Sequence, residues 1–293
     1  MWPLVVASAD PKSPADAVKL HAALVELAVE DATFSFDTSE VTARAIMYGM
    51  SEAHLDRYVD VLRRTYNVDA DFGPKQVAYY ETLGRKAEVK YTHKRQIGGS
   101  GQYAEVTIVF EPLERKAGIV FENKVIGGTV PQNYIQAVEK GVRLQAKTGL
   151  LAGFPTMDFK FTLVEGKYHD LDSSALAFEV AAKACFRELR KAGSPKVLEP
   201  VMKIEVLTPP TYVRDIIDDL KSRRGQIQKT EVSGDSELVS ATAPLAEMFG
   251  YTEILRCLSV GLAQFTMHYE RHEEAPLSEP PDDRFPSAMA MRA

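Results

Sequence analysis

Apolar and polar positions along the chain switch repeatedly between a period of two and a helical period, and one such series occurs twice. Residues 3–9 are an apolar run of strand character, after which Val18, Leu20, Ala23, Leu24, Leu27 and Ala28 fall at helical spacing over about 15–30. Residues 33–36 and 42–48 are rich in β-formers. Leu55, Tyr58, Val59, Val61 and Leu62 make one stripe of a helix over about 52–66, and residues 68–72 close the set as a strand. The order β-α-β-β-α-β in so short a stretch is the split βαβ signature.

The same order returns near the other end of the chain. Residues 200–206 predict a strand, and Pro209-Pro210 opens a helix over about 211–223, since proline suits a first helical turn. Residues 226–232 and 237–243 make a hairpin across Ser233-Gly234-Asp235-Ser236; a helix from 244 to about 258 and a strand at 265–270 follow. Between the two copies the pattern differs. Residues 87–95 and 102–111 alternate strongly around a Gly98-Gly99-Ser100-Gly101 loop, 119–126 and 159–165 predict strands, and 134–147 and 173–191 predict helices. The expected fold class is therefore α+β. Ferredoxin-like split βαβ domains at 1–75 and 198–274 flank a different α+β domain at 76–197, and the proline-rich acidic stretch 275–293 predicts a disordered tail.

Composition narrows the function classes. The 45% hydrophobic and 26% charged residues suit a soluble globular chain and argue against disorder. No apolar run approaches the length of a membrane span, and the first six residues lack the basic start and apolar core of a secretory signal. Cys185 and Cys257 are too few for a disulfide framework or a four-thiolate zinc site; both are expected to be buried thiols in a reducing cytoplasm. The net charge of −6 argues against a nucleic-acid partner, yet it is unevenly placed. Residues 76–197 hold 18 basic and 13 acidic groups, a net +5, whereas 1–75 carry −5 and the regions 198–272 and 273–293 carry −3 each.

Candidate chemistry is sparse. No phosphate loop occurs, and Gly98 to Gly101 lacks the following helix and third glycine of a dinucleotide fingerprint. Two readings of that cluster stand: a hairpin turn needing positive φ, or a nucleic-acid-contacting tip flanked by Arg85, Lys86, Lys90, His93, Lys94 and Arg95. In Tyr168-His169-Asp170-Leu171-Asp172-Ser173-Ser174, one of Asp172, Ser173 and Ser174 is expected to cap the following helix. No G-x-S-x-G elbow accompanies it, and His21, His54, His93, His268 and His272 are scattered without ligand spacing. No catalytic or metal-ligating residue is assigned.

Several runs together resemble the C-terminal half of bacterial elongation factor G, the ribosomal translocase. These are Gly49-Met50-Ser51-Glu52-Ala53-His54-Leu55-Asp56, the junction Gly73-Pro74-Lys75-Gln76-Val77-Ala78-Tyr79-Tyr80-Glu81-Thr82, the loop 98–103 and the loop 168–174. Residues 198–202 and 244–251 extend the likeness, so that about 3–275 follow the family in one collinear order. Ser51 stands where the family motif has glycine, Ala53 where it has leucine, and Tyr80 where arginine is common. Pro74-Lys75 reverses a Lys-Pro pair, and together these departures suggest a divergent paralogue.

The resemblance implies the family's third domain, a ribosomal-protein-S5-domain-2-like fourth domain and a ferredoxin-like fifth domain, without the GTPase and β-barrel domains. It implies a ribosome-binding chain whose fourth-domain tip enters the decoding site as tRNA and mRNA move. The tip would comprise Gly98, Gly99, Ser100, Gly101, Gln102, His169, Asp170 and Ser173, supported by Lys90, Lys94 and Arg95. His169 matches the position modified in the eukaryotic counterpart. Lys221, Arg223 and Arg224 would face large-subunit RNA; as sequence alone, that turn also suits a solvated charge run. The chain itself would hold no cofactor, because GTP and magnesium belong to a GTPase domain supplied in cis or in trans. A cytoplasmic monomer is expected. Two alternatives remain open: a ribosomal protection-type paralogue, and a small-molecule phosphotransferase built on the middle domain.

Overall fold

The computed structural model describes residues 2–39, 43–97, 100–126 and 129–276. Among the described residues, those up to Ala78 together with Glu199–Glu273 form one compact unit, and Tyr79–Leu198 with 274–276 form the other.

The first unit begins with β1 (Val5–Pro11), α1 (Pro14–Glu30), β2 (Ser35–Thr38), β3 (Ala45–Gly49), α2 (Glu52–Arg64) and β4 (Ala70–Phe72). The strands lie in the order β2-β3-β1-β4, the ferredoxin-like arrangement, and β5 (Gln76–Val77) pairs antiparallel with the start of β1. Leu20, Leu24, Met47, Leu55 and Leu62 form the fully buried helix-on-sheet core. Both helices start at serines. The amide of Asp16 donates to Ser13 Oγ at 3.1 Å, and that of His54 donates to Ser51 Oγ at 3.1 Å. Ser51, which departs from the family glycine, is thus a helix cap. Just beyond α1, Asp31 accepts from Thr33 N–H (2.7 Å) and its hydroxyl (2.6 Å), from Tyr58 OH (2.7 Å) and from His54 Nε2 (2.9 Å). The Thr33 and Tyr58 donors hold this carboxyl well below its ordinary range, while burial, reinforced by Asp31, pushes the Tyr58 phenol up to about 12.

The second unit opens with β6 (Tyr80–Thr82), then β7 (Ala87–Ile97), β8 (Ser100–Pro112), β9 (Ile119–Asn123), α3 (Gln132–Ala146), β10 (Phe159–Lys167), α4 (Ala175–Arg187) and α5 (Leu189–Ala192). Its sheet runs β7-β8-β10-β9, with β9 parallel to β10 and the other pairs antiparallel. Phe110, Phe159, Phe161, Phe178 and Phe186 are buried where α3 and α4 cover the sheet. The helix expected at 173–191 breaks at Glu188, a break that periodicity hides because Leu189 continues the apolar phase into the core.

Two buried carboxylates fix the loops of this unit. Asp158, at φ +56, accepts from Lys116 N–H (3.0 Å) and Gly118 N–H (2.9 Å) and so sets the approach to β9. Glu81, fully buried, accepts from five successive backbone amides: Leu150, Leu151 (2.9 Å), Ala152 (2.8 Å), Gly153 (3.1 Å) and Phe154 (3.2 Å). Gly149, at φ +68, lets the loop wrap this closely, since a Cβ there would stand 2.7 Å from Glu81 Oε1 and 2.3 Å from Phe154 O.

The chain then returns to the first unit through β11 (Lys196–Thr208), whose first residues pair with β6 and whose remainder pairs with β13. Next come α6 (Val213–Ser222), β12 (Gln226–Ser233), β13 (Ser236–Pro244), α7 (Tyr251–Leu258) and β14 (Gln264–Glu274), in the order β12-β13-β11-β14. This is the ferredoxin-like order again. The helix expected from 244 starts only at Tyr251. Pro244 is still in the ladder opposite Val201, Leu245–Glu247 is a single 3-10 turn, and Gly250 sits at φ +67. The last strand is longer than expected, and Ala275, placed in the tail by its sequence, is buried and donates its N–H to Val197 O at 2.9 Å. Residues 277–293 of that tail lie outside the described residues. Cys185 is buried, its thiol pushed up to about 12 by burial, whereas Cys257 is exposed on α7 and corrects the expectation of two buried thiols.

Two measurements check these anchors. Glu81→Ala leaves five amides without their acceptor, those of Leu150 and Phe154 buried, so denaturant unfolding is expected to show a loss of about 3 kcal/mol or more, with Glu81→Gln in between; a loss below about 1 kcal/mol for the alanine variant would contradict the anchor. Because the folded carboxyl of Asp31 is depressed, its contribution is full above the ordinary value of 3.8 and is lost as pH falls through the lower folded value. Asp31→Asn is therefore expected to unfold more easily near neutrality, with the gap from wild type closing in acid; a gap that widens below about pH 4 refutes the assignment.

Candidate nucleic-acid interface

Two loops meet at one end of the second unit. The first joins β7 to β8, an antiparallel pair down to Ile97 opposite Ser100, with Gly101 already in β8 and no helix after it. Gly98 and Gly99 themselves lie outside the described residues. The second is the stretch between β10 and α4, where Ser174 is the cap among the three candidates, accepting from Ala177 N–H at 3.1 Å.

The loops are bonded to each other. Tyr103 N–H donates to Asp172 O (2.8 Å) and Ser173 Oγ donates to Tyr103 O (2.6 Å). Gly101 lies so close to the Asp172 carboxylate that a Cβ would stand 2.5 Å from Oδ1 and 2.6 Å from Cγ. Within the second loop, His169 N–H donates to Ser173 Oγ (2.9 Å) and Ser173 N–H to His169 O (3.0 Å). The His169 ring is left outward, its side chain 59% exposed. Its Nδ1 is 3.4 Å both from Leu171 N–H and from Asp172 Oδ2. These partners make opposite demands: a bare Nδ1 accepts from the amide, a protonated one donates to the carboxylate. Asp170 and Leu171 are exposed beside it.

The expected supporting cations divide. Lys94 and Arg95 are exposed and make no ion pair among the described residues. Lys90 is bound at 3.1 Å to Glu105, which also takes Lys167 (3.2 Å) and Thr92 Oγ1 (3.1 Å). The bond from Lys90, followed by that from Lys167, holds the Glu105 carboxyl below its ordinary range. Gln102 accepts from His93 Nε2 at 3.0 Å, and Arg85 donates to the Ala192 carbonyl at 2.7 Å, closing the end of α5.

The turn after α6 is not a run of free charges. Arg223 donates to Asp219 (2.8 Å) and to Glu247 O (2.7 Å), lies over the Tyr251 ring at 5.2 Å, and is only 16% exposed. Arg224, at φ +60, binds the buried Glu199 through both terminal nitrogens at 2.5 and 3.2 Å. Lys221 alone of the three is exposed without an ion pair among the described residues. Sequence reasoning missed Tyr103 and Asp172 as the pair that joins the loops; Gly101 was the available signal, because a glycine within a strand marks a close approach.

No group of three or more His, Cys, Asp or Glu able to hold a metal occurs among the described residues. What the geometry offers is a pair of bonded polar loops with an exposed histidine and with Lys94 and Arg95 on the adjoining strand, suited to contact by shape and charge. Gly101→Ala is expected to push Asp172 out of place and cost about 1–3 kcal/mol in denaturant unfolding. An alanine variant as stable as wild type would show that the close approach is not a constraint.

Comparison with known proteins matches three successive stretches of the chain. Residues 2–74 match the family described as Elongation Factor G, domain III, residues 75–194 match Elongation factor G, domain IV, and residues 196–282 match the Elongation factor G C-terminus. Elongation factor G of Granulibacter bethesdensis is 54% identical over 274 residues, which are 94% of this chain and 40% of that protein. Elongation factor G of Gluconobacter oxydans is 52% identical over 274 residues, 94% of this chain and 39% of that protein. A crystal structure of a protein from Thermus thermophilus matches all of this chain and 43% of its own, with a TM-score of 0.67 and 34% identity. The chain spans about two fifths of the length of these relatives. It belongs to the elongation factor G family, of which it carries domain III, domain IV and the C-terminal region in order.

Proposed function

We propose that this chain is the ribosome-binding C-terminal part of a translocase-type elongation factor, promoting tRNA–mRNA movement by placing the tip of its middle domain at the decoding site. The observation that carries the reading is the pair of bonded loops presenting exposed His169, with Lys94 opposite Tyr103 and Arg95 opposite Gln102 in the β7–β8 pair, in the domain with the positive charge balance. In this reading the tip meets RNA backbone by charge and shape, with His169 and Asp170 outermost and Lys221 on the large-subunit side. Ser173 acts inward, because its hydroxyl is engaged by His169 N–H and Tyr103 O. GTP hydrolysis, with its magnesium, belongs to a GTPase domain in cis or in trans, and this chain acts as a monomeric, non-catalytic cytoplasmic part.

Ribosome binding by the chain, measured at about 50 and 200 mM salt, tests the reading. About four phosphate contacts predict a fall of roughly 50- to 150-fold over that range. Lys94→Ala with Arg95→Ala is expected to lower the salt slope by about two. Binding that is absent, or that ignores salt, refutes the proposal.

A further inference from the structure

We propose that Tyr134 is a positioning residue of the tip: from the first turn of α3 it anchors both ends of the 168–174 loop and so sets where His169 stands. The inference rests on reading that loop as the contact region. The Tyr134 ring stacks on Phe178 with centroids 4.7 Å apart and planes at 12°, which fixes it against the core. Its edge meets Tyr168 at 6.0 Å and 63°, at the start of the loop. Its hydroxyl donates to Ser173 O at 3.1 Å, at the end of the loop. His169 lies between these two anchors, and Ser173 in turn receives the His169 amide on its hydroxyl.

A core aromatic needs only the ring. Phenylalanine would keep the stack on Phe178 and the contact with Tyr168, so the hydroxyl is the part that packing does not require. It satisfies a main-chain carbonyl of the loop, across 39 residues of sequence. α3 has no side-chain cap bond at its own start, so this residue of its first turn bonds outward to the loop. The tip therefore has a third support besides the Tyr103–Asp172 and Tyr103–Ser173 bonds, and that support comes from the helix layer.

The test uses the full chain, with amide hydrogen exchange read residue by residue in wild type, Tyr134→Phe and Tyr134→Leu. Losing one hydrogen bond is expected to speed exchange at His169 and Ser173 about fivefold in the phenylalanine variant, and more in the leucine variant. Exchange in β9 and β10 and the thermal midpoint should stay near wild type in the phenylalanine variant. Ser173→Ala, with Tyr134 intact, should expose the His169 amide in the same way. Unchanged tip exchange in Tyr134→Phe overturns the proposal, and so does uniform acceleration across the whole unit, which would mark Tyr134 as packing alone. Ribosome binding by the same variants is the second readout. Faster tip exchange with a several-fold weaker affinity and an unchanged salt slope supports both positioning and the contact reading. Faster tip exchange with unaltered affinity supports the positioning role and removes the contact reading.

Discussion

The middle domain depends on one buried carboxylate. Glu81, itself fully buried, gathers five consecutive amides of the loop after α3 onto its two oxygens, the first and last of them from buried residues and the middle three from half-buried ones. Its own main chain is held too: Glu81 N–H donates to Pro155 O and Met157 N–H donates to Glu81 O, each at 2.8 Å. The end of α3, the entry to β10 and the short strand β6 thus share one point of attachment. A buried unsatisfied amide costs about 1–3 kcal/mol, so the two at Leu150 and Phe154 alone amount to a sizeable part of the net stability of a domain. No hydrophobic contact in the domain has that directional force; the phenylalanine core supplies most of the burial but tolerates some sliding, whereas the Glu81 cradle does not.

Charge is a poor guide to partners until it is placed. The basic groups of the middle domain outnumber its acids, but Lys90 and Lys167 converge on Glu105, Lys86 and Lys160 on Glu111, and Arg85 closes a helix end. The turn after α6 shows the same effect more strongly, with Arg223 and Arg224 both taken up inside their domain. Of the expected contact cations, those exposed without an ion pair among the described residues are Lys94 and Arg95 on β7 and Lys221 elsewhere. Surface ion pairs are individually weak, yet they decide which cations remain available to a phosphate.

Much of the fold is legible in the chain, and for physical reasons. Helices with one apolar stripe and strands with strict alternation leave clear periods, and the repeated β-α-β-β-α-β order leads directly to two ferredoxin-like sheets. The failures have causes as definite. Strands of two or three residues, such as β5 and β6, are too short to show a period. Apolar spacing runs on through Pro244 and Gly250, where the helical backbone does not, and so predicts a helix too early. At the tip, glycines and small polar residues mark the loops, but the bonds between them join residues far apart in sequence and leave no local trace. In sequence Tyr134 is only the opening residue of a helix, and Arg224 a solvated charge; only tertiary structure reveals their partners.

The separation in sequence of those partners also sets the order in which the domain must assemble. Ser173 and Tyr103 are 70 residues apart, and Glu81 lies 69 to 73 residues from the amides it holds. Closing such loops is entropically unfavourable until neighbouring strands have already paired. The β7–β8 hairpin, by contrast, is local and can form early. The tip is accordingly a late product of folding, half of it present as soon as the hairpin closes and the other half waiting for β10 and α4 to arrive. A nascent chain released before residue 174 would hold a hairpin but no finished tip.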